Sequence, residues 1–402
     1  MKFASRMEKL PAYLFALQAK RIAEMRASGI EVINFGMGDP DVPTPEYLLD
    51  AMCEGVRRPE NSRYPDYFGK PALRRAIADW YQDRFGVELE PDTEIMPLIG
   101  SKEGIANAAL AFVEPGEAAL LPDPAYPAYK FGTIMAGGEI CPLPLLEENG
   151  WLPDLESIDG ALAPKANVVW LNYPNNPTGA VADLEFFDRV VRWAKQHDVI
   201  VAHDNPYSDV TYDGYRPPSI LEVPGAKDIC VEFNSLSKTY SMAGWRIGMA
   251  VGNREIIDAL ARIKTNIDSG IYGAVQDAAI AALTGDQSWI PARNEIYQRR
   301  RDKLCATLSE IGIHAPRPGA SLYIWGRVPG GYTSKQFTEF VLASTGIVIT
   351  PGNSYGAQGE GYFRMSLTVP DADVDEACKR LSGLQFVPPA DEPDKDLVMR
   401  NA

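Results

Sequence analysis

Short apolar runs alternate with helix-length segments through the middle of this chain, and this alternation restricts the fold more than any other feature. The candidate strands, rich in Val, Ile, Leu and Ala, lie at 95–99, 118–121, 168–171, 199–202, 229–233 and 247–251. Helix-length segments lie between them at 101–113, 125–136, 183–196 and 254–267. Such alternation is typical of βαβ units, whose parallel strands form a sheet covered by helices on both faces. The sequence therefore predicts an α/β fold with a mainly parallel sheet.

The pattern changes after about residue 286. A long charged helix is predicted at 291–311, followed by hairpin-like segments at 321–328 and 347–349, a strand at 363–367 and a helix at 371–381. At 402 residues the chain is too long for one simple core, so we interpret this part as a second, smaller α+β domain. The tail from Pro388 has few core-forming residues and is expected to be disordered.

Charge and composition argue against several classes of partner. The net charge of −15, from 39 basic and 54 acidic residues, disfavours binding to nucleic acid or anionic lipid. No run of about 18 apolar residues predicts a membrane span, and the polar N-terminal segment predicts a cytoplasmic location. The five cysteines form no C-x-x-C pair, and no histidine lies near them at ligand spacing. We therefore expect reduced thiols and no metal site.

The segment 235–248, SLSKTYSMAGWRIG, is the most informative stretch for chemistry. It follows a predicted strand, so Lys238 lies at the carboxyl end of that strand, where α/β sheets bind ligands. Ser235, Ser237 and Arg246 supply two hydroxyls and a guanidinium, which suit a phosphate group. A lysine that is desolvated beside another cation has a lowered pKa, and this favours an amine nucleophile. The segment predicts a phosphate-bearing ligand held beside a reactive lysine.

Two further segments place polar side chains at the ends of predicted strands. The segment 172–179, NYPNNPTG, follows one strand, and its Asn176 is a suitable donor to a phenolate oxygen. The segment 199–207, VIVAHDNPY, ends the next strand with Asp204, a carboxylate that needs a partner if it is buried. A protonated pyridine nitrogen is such a partner. Tyr207 is placed to donate to the same ligand, and His203 is expected to face the other side of the sheet as a core residue.

A strand also runs into a helix through the segment 98–104, LIGSKEG. Backbone N–H groups at such a helix start bind phosphate, and Ser101 and Lys102 lie there. The segment is not a nucleotide-binding P-loop, and no G-x-G-x-x-G follows any predicted strand. A nicotinamide dehydrogenase therefore has no motif support.

In their order along the chain, these segments resemble the class I and II aminotransferases, which are fold-type I enzymes that depend on pyridoxal 5'-phosphate. The resemblance covers about residues 10–384. It implies a homodimer with shared active sites and a large cofactor-binding domain, 46–285, built on a mainly parallel seven-stranded sheet. A small domain would comprise 286–387 together with part of 1–45, the rest of which forms an N-terminal arm, and 388–402 would be the disordered tail.

The resemblance also implies a role for each matching residue. The Schiff-base lysine corresponds to Lys238, the partner of the pyridine nitrogen to Asp204, and the donors to the phenolic oxygen to Asn176 and Tyr207. The phosphate site corresponds to Ser101, Lys102, Ser235, Ser237 and Arg246, joined by Tyr64 of a neighbouring subunit in the segment RYPDYFG. The catalytic aromatic that stacks on the ring corresponds to Tyr126, and the binding site for the substrate α-carboxylate to Arg364 with Gly38 beside it.

Within that family the chain is most similar to the LL-diaminopimelate aminotransferases. The supporting strings are LPAYLF at 10–15, GSKEGI at 100–105, NYPNNPTGA at 172–180 and GEGYFR at 359–364. Tyr13 matches a substrate-contacting tyrosine of that group, and Asn176 and Lys102 are candidates for substrate contact as well. Ser269 stands where these enzymes supply an asparagine across the dimer. Similar strings occur in alanine and aspartate aminotransferases, so those substrates remain open.

The implied reaction moves an amino group between an L-amino acid and a 2-oxo acid, with LL-diaminopimelate and 2-oxoglutarate as the expected pair. Two other classes remain open. A carbon–sulfur β-lyase would use the same residues and would release pyruvate and ammonia from cystathionine without a keto-acid acceptor. A non-enzymatic regulator on the same scaffold would not need the intact set of Lys238, Asp204 and Arg364.

Overall fold

The computed structural model describes residues 1, 3–10, 14–158 and 165–386. Tyr13 and the predicted tail 388–402 lie outside these ranges. The strands are β1 Ile33–Asn34, β2 Ile95–Leu98, β3 Ala118–Asp123, β4 Glu139–Pro144, β5 Ala166–Asn172, β6 Ile200–Asp204, β7 Cys230–Ser235, β8 Gly248–Gly252, β9 Tyr323–Arg327, β10 Ile347–Val348, β11 Thr350–Pro351 and β12 Tyr362–Ser366. The helices are α1 Arg6–Lys9, α2 Leu14–Ala27, α3 Glu46–Arg57, α4 Pro71–Phe85, α5 Ser101–Phe112, α6 Ala128–Ala136, α7 Leu184–His197, α8 Leu236–Thr239, α9 Arg254–Ile267, α10 Gly273–Thr284, α11 Trp289–Glu310, α12 Ser334–Thr345 and α13 Asp371–Leu381. Within the described ranges, no helix is both long and apolar enough to cross a membrane.

A seven-stranded sheet occupies the middle of the chain, with the order β2-β8-β7-β6-β5-β3-β4. The pairs among β3, β4, β5, β6 and β7 are parallel, whereas β8 is antiparallel to both β2 and β7. The mainly parallel sheet is therefore confirmed. Strand β4 had no predicted counterpart because it carries two prolines and alternates exposed with buried residues, both of which suit the edge where it lies.

Alternate residues of the central strands enter two separate apolar clusters. Val169 and Val201 face a cluster formed with α4, α7 and α10. Val168 and Ala202 face the opposite cluster, formed with α5, α6 and α9. Because both faces are covered, these strands are apolar throughout, and this explains why they were recognisable as continuous runs.

A second region combines the end of the chain with residues from its beginning. Strands β11, β12 and β9 form an antiparallel sheet, and β1 pairs in parallel with β10. Ile33 and Phe35 share a buried cluster with side chains from α11, α12 and α13. The limits given above for the domains stay predictions.

The sheet brings three polar side chains to one edge. Asn172 is the last residue of β5, Asp204 of β6 and Ser235 of β7. Asn172 pairs in register with Asp204, and Asp204 pairs with Phe233 of the next strand. Since these strands are parallel, their carboxyl ends meet at one place, which is where α/β folds bind ligands.

Candidate active site

A cavity of about 450 Å³ lies at this edge, between the large sheet and the strands β9 and β12. Twelve of the fifteen site residues predicted from the sequence line it: Gly38, Ser101, Lys102, Tyr126, Asn176, Asp204, Tyr207, Ser235, Ser237, Lys238, Arg246 and Arg364. The fold therefore gathers residues that are up to 326 positions apart in the chain, from Gly38 to Arg364.

Lys238 lies on the single-turn helix α8, directly after β7. Its Nζ donates to the carbonyl oxygen of Gly38 at 2.6 Å, so the side chain extends across the cavity. Burial is the main cause that lowers the pKa of Lys238, and the positive charges of Arg246 and Arg364 lower it further. A lowered pKa increases the fraction of neutral amine, which is the form that attacks a carbonyl carbon.

Asp204 presents one oxygen to the cavity. Its Oδ2 accepts a hydrogen bond from the Tyr129 hydroxyl at 2.7 Å, whereas its buried Oδ1 has no hydrogen-bond partner. Burial raises the pKa of Asp204 to about 6, although the bond from Tyr129 acts in the opposite direction. A buried carboxylate oxygen without a partner is costly, so this atom fits a cationic N–H donor of a ligand.

Asn176 and Arg364 are joined to each other. Arg364 Nη1 donates to Asn176 Oδ1 at 2.8 Å, and Nη2 donates to the carbonyl oxygen of Gly36 at 2.6 Å. A guanidinium has only donors, so the amide oxygen of Asn176 must face it. The amide nitrogen of Asn176 is therefore directed elsewhere, as a donor to a phenolic oxygen requires.

A phosphate-binding corner forms around the start of α5. Ser235 Oγ donates to Ser237 Oγ at 3.0 Å, and Arg246 Nη1 donates to the carbonyl oxygen of Ala243 at 2.7 Å. Gly100, just before α5, has φ +76°, and a Cβ there would lie 2.3 Å from Arg246 Nη2. Only glycine therefore allows the guanidinium to lie against the helix start. Hydroxyls, a guanidinium and a helix N-terminus together suit a phosphate.

Two tyrosines that were not predicted from the sequence, Tyr129 and Tyr323, are among the further residues that contact the site. Tyr129 holds Asp204, stacks on Trp170 at 5.0 Å and meets Tyr126 edge-on at 5.9 Å. Tyr323, the first residue of β9, lines the cavity and forms a hydrogen bond with Tyr207. Tyr129 lies in α6, three residues after Tyr126 in the segment DPAYPAY, and this recurrence of tyrosine would have identified it. Tyr323 lies in an ordinary apolar strand pattern, and nothing in its own segment marks it.

Three predicted residues are not brought to the cavity. Tyr64 is 86 % exposed on the surface, and Ser269 lies half-buried after α9. Tyr13 falls outside the described residues. The roles of Tyr64 and Ser269 were expected across a dimer, so both assignments stay predictions.

His203 lies on the other side of the sheet, as expected. It is fully buried, with Nδ1 2.9 Å from Glu232 Oε2 and Nε2 3.1 Å from the carbonyl oxygen of Tyr173. Glu232 also accepts from the hydroxyls of Tyr81 and Ser219, each at 2.9 Å. This buried network satisfies its own groups and supports the sheet behind Asp204.

The arrangement fits pyridoxal 5'-phosphate group by group. Lys238 is placed for the carbonyl carbon, the unpartnered Oδ1 of Asp204 for the pyridine nitrogen, and Asn176 with Tyr207 for the phenolic oxygen. The corner around Arg246 suits the phosphate.

Comparison with known proteins agrees with this geometry. The family model for aminotransferase class I and II matches residues 30–381. The chain is similar to an LL-diaminopimelate aminotransferase of Dehalococcoides mccartyi (strain CBDB1), with 55% identity over 383 residues, covering 95% of this chain and 99% of that protein. One from Aquifex aeolicus (strain VF5) is 50% identical over 385 residues, covering 96% and 100%. The solved structure of substrate-bound BacF from Bacillus subtilis superposes with a TM-score of 0.91 at 37% identity, covering 95% of this chain and 97% of that one. This chain thus belongs to the class I and II aminotransferases, the fold-type I enzymes that depend on pyridoxal 5'-phosphate.

Proposed function

We propose that the protein transfers an amino group from LL-diaminopimelate to 2-oxoglutarate. The observation that carries this proposal is the 55% identity, over nearly the full length of both chains, to a protein named LL-diaminopimelate aminotransferase. The cavity of about 450 Å³ has to hold the cofactor as well as the substrate, and its lining includes Arg364 for the α-carboxylate and Lys102, whose side chain is a candidate partner for a second carboxylate.

Each of the residues around the cavity would have a different role in the reaction. Pyridoxal 5'-phosphate, when bound, supplies a carbonyl carbon that reacts with amines and a protonated ring that withdraws electrons from the substrate Cα. Lys238 would hold the cofactor through its Nζ, and the same amine, when free, would carry the proton that leaves the substrate Cα. Asp204 Oδ1 keeps the proton on the ring nitrogen, and Arg364 binds the α-carboxylate through its two terminal nitrogens. Positioned proton transfer of this kind contributes about 10²–10⁴ in rate.

The two ends of LL-diaminopimelate place different demands on the site. One α-amino-carboxylate must face Lys238 and Arg364, while the distal one needs partners of its own because an unpaired buried charge is costly. Lys102, the second residue of α5, lines the cavity and is a suitable cation for the distal carboxylate. In the alternative arrangement Lys102 contributes only its backbone N–H to the phosphate, and small substrates such as alanine or aspartate would be preferred.

The test of this proposal compares kcat/KM for LL-diaminopimelate, alanine and aspartate, each with 2-oxoglutarate as acceptor. We expect LL-diaminopimelate to have the highest value. The variant Lys102→Met keeps the backbone N–H and removes the charge, so it should lower kcat/KM for LL-diaminopimelate and change the value for alanine little. If alanine or aspartate exceeds LL-diaminopimelate tenfold, about 1.4 kcal/mol in transition-state binding, the substrate proposal is wrong.

We also propose that two chains form a homodimer with shared active sites. Large apolar side chains are exposed around Tyr64: Leu49, Val56, Tyr67, Phe68, Ile267 and Tyr272. They lie on neighbouring segments, since α3 packs on α10 and the backbone of Gly270 lies against Asp66. Such a concentration of exposed apolar residues is typical of an interface with another subunit. A two-fold interface here would bring Tyr64 and Ser269 toward the partner's cavity.

We also propose limits for the two domains and a location for the protein. Separate buried clusters for the seven-stranded sheet and for the region of β9, β11 and β12 support a large domain at 46–285. They equally support a small domain at 286–387 with part of 1–45. The five cysteines are free, and four of them are buried, which supports a reducing compartment such as the cytoplasm.

A further inference from the structure

Tyr323 lies where the large sheet and the small sheet face each other across the cavity. It is the first residue of β9, its side chain is almost fully buried, and it is part of the cavity wall. Its neighbours there are Tyr207, Arg364 and Gly38, each of which has a proposed role in the reaction.

The hydroxyl of Tyr323 contacts that of Tyr207. The two oxygens are 3.0 Å apart, and the rings meet edge-on with centroids 5.7 Å apart. Each hydroxyl has one hydrogen, so only one of the two can donate in this pair. When Tyr207 donates to the phenolic oxygen of the cofactor, the hydrogen between the two tyrosines must come from Tyr323. Burial and the contact with Tyr323 both raise the pKa of Tyr207, which keeps its hydroxyl protonated and able to donate.

The ring of Tyr323 supports Arg364. The guanidinium carbon lies 4.0 Å from the centroid of the ring, a distance at which a cation is attracted to the aromatic face. The strands fix this contact, because β9 and β12 are neighbours and Arg364 pairs in register with Trp325, two residues after Tyr323. The ring therefore holds the guanidinium from one side while Asn176 and the carbonyl of Gly36 hold it from others.

The position of the hydroxyl depends on a glycine. A Cβ at Gly38 would lie 2.2 Å from Tyr323 Oη, so only glycine allows the tyrosine to reach Tyr207. The carbonyl oxygen of the same glycine accepts from Lys238 Nζ at 2.6 Å. One buried tyrosine thus contacts Tyr207, assigned to the cofactor oxygen, and Arg364, assigned to the substrate carboxylate, and it lies against the glycine whose carbonyl binds Lys238.

We propose that Tyr323 is a further functional residue with two separable contributions. Its hydroxyl donates to Tyr207 and strengthens Tyr207 as a donor to the phenolic oxygen of the cofactor. Its ring holds Arg364 in place for the substrate carboxylate. The inference rests on the proposed roles of Tyr207 and Arg364 and is independent of which amino acid is the substrate.

The first experiment measures the hydroxyl contribution by the pH titration of the visible absorbance of the holoenzyme, which reports the proton on the linkage between Lys238 and the cofactor. A donor to the phenolic oxygen withdraws negative charge from it and so helps the linkage to lose its proton at lower pH. Tyr323→Phe weakens that donor by removing cooperative polarisation, so the midpoint should rise by about half a pH unit. Tyr207→Phe should raise it further.

A matched control removes a hydroxyl from another ring beside Arg364. Tyr355 lies 4.9 Å from the guanidinium carbon and is not among the residues that line the cavity. Tyr355→Phe should leave the midpoint unchanged. If Tyr207→Phe shifts the midpoint and Tyr323→Phe does not, the hydroxyl role of Tyr323 is wrong. If neither variant shifts the midpoint, the assignment of Tyr207 to the phenolic oxygen is wrong, and the hydroxyl role of Tyr323, which depends on it, is wrong as well.

The second experiment separates the ring from the hydroxyl. The unreactive dicarboxylate maleate serves as the probe for Arg364, and its dissociation constant follows from the absorbance change of the holoenzyme. Tyr323→Phe keeps the ring and should change the constant less than twofold, whereas Tyr323→Leu should weaken binding about 3- to 30-fold. Equal affinities for the Phe and Leu variants would overturn the ring contribution. Arg364→Leu is the reference for complete loss, and normal maleate binding by that variant would reject Arg364 itself as the carboxylate site.

Discussion

Asp204 and Asn176 each direct one polar atom toward the cavity because another residue forms a hydrogen bond with the second polar atom of the same side chain. Tyr129 bonds one carboxylate oxygen of Asp204, and Arg364 bonds the amide oxygen of Asn176. The remaining carboxylate oxygen and amide nitrogen have the polarity that a protonated pyridine and a phenolic oxygen require. At the residue scale the site is therefore preorganised by neighbours of the reacting groups, which lowers the cost of orienting them during reaction.

Lys238→Ala removes the amine that donates across the cavity to the carbonyl oxygen of Gly38. Turnover should fall by at least about 10²–10⁴, because positioned proton transfer is lost. The variant should still bind the cofactor through Asp204 and the corner around Arg246. Borohydride reduction followed by peptide mapping should locate the cofactor on Lys238 in the unmodified protein. Near-normal turnover of the variant would show that the reactive lysine lies elsewhere.

Asp204→Asn keeps the shape of the side chain and removes its negative charge. The charge-assisted bond to the ring nitrogen contributes roughly 1.5–3 kcal/mol, so turnover should fall by orders of magnitude while cofactor affinity falls modestly. Steady-state kinetics together with cofactor titration measure the two effects. An unchanged turnover number would place Asp204 outside the reaction.

The Asp204→Asn variant also tests how the contribution of Asp204 to cofactor affinity depends on pH. Burial raises the pKa of Asp204 to about 6, so in the cofactor-free protein the carboxylate becomes protonated as the pH falls through that value. The advantage of the unmodified protein over Asp204→Asn in cofactor affinity should therefore be full at pH 8 and shrink toward pH 5. The free cofactor titrates identically in both measurements, so its own titration cancels from the ratio of the two cofactor affinities. A ratio that does not change with pH would contradict the assignment of Asp204 to the ring nitrogen.

At the scale of elements, two strand-to-helix junctions place the phosphate corner. The turn between β2 and α5 contributes Gly100 and Ser101, while the junction of β7 with α8 contributes Ser235 and Ser237. Strands β2 and β7 are not neighbours, since β8 lies between them and pairs with both. Gly248 of β8 is packed against the turn, where a Cβ would lie 2.9 Å from the backbone nitrogen of Ser101. Close backbone packing therefore holds the two junctions in one corner.

Gly100→Ala tests the junction between β2 and α5. The new Cβ would lie 2.3 Å from Arg246 Nη2 and would displace the guanidinium, so cofactor affinity should fall about tenfold or more. Gly86→Ala is the control for a methyl group added at a glycine with positive φ, because Gly86 has φ +68° and no atom within 4 Å of the added methyl. Gly86→Ala should lose about 1 kcal/mol of stability because Gly86 is in the left-handed helical region. Gly100→Ala should lose about 1–3 kcal/mol, because ψ 150° places Gly100 in a region that is essentially restricted to glycine. Equal cofactor affinities for the two would show that Arg246 does not depend on Gly100.

At the scale of the whole molecule, the site combines parts of the chain that separate packing units contribute. Lys238, Asp204 and Asn176 come from the region of the seven-stranded sheet, whereas Arg364 and Tyr323 come from the antiparallel sheet. The exposed apolar surface around Tyr64 lies outside both buried clusters. In the proposed dimer this surface would be covered, and Tyr64 would complete the phosphate site of the partner chain.

Mixing two variants, each with one defective contribution to the site, tests that arrangement. A Tyr64→Phe chain paired with a Lys238→Ala chain should form one intact site in each heterodimer, since the residues of that site come from different chains. Activity of the mixture should exceed the average of the two homodimers after exchange of subunits. Analytical ultracentrifugation gives the oligomeric state, and a fully active monomer would rule the shared site out.

The sequence by itself determined the central sheet and most of the side chains around the cavity. Strands buried on both faces are continuously apolar, and a polar residue that ends such a strand is conspicuous in the sequence. Because parallel strands bring their carboxyl ends to one edge, the sequence alone predicts that Asp204, Asn176 and Lys238 lie close together. The edge strand β4, with its prolines, and the apolar helix α10 lack that local signal and were not predicted.

Only the tertiary structure decided which atoms of these residues contact their neighbours and which atoms face the cavity. The bond from Tyr129 to Asp204, the approach of Arg246 to Gly100 and the bond between Tyr207 and Tyr323 join residues 75, 146 and 116 positions apart. Such contacts depend on how strands and helices pack, and they leave no periodic trace in any one segment. The antiparallel direction of β8 was likewise set by pairing with β2 and β7, because the same apolar run can pair in either direction.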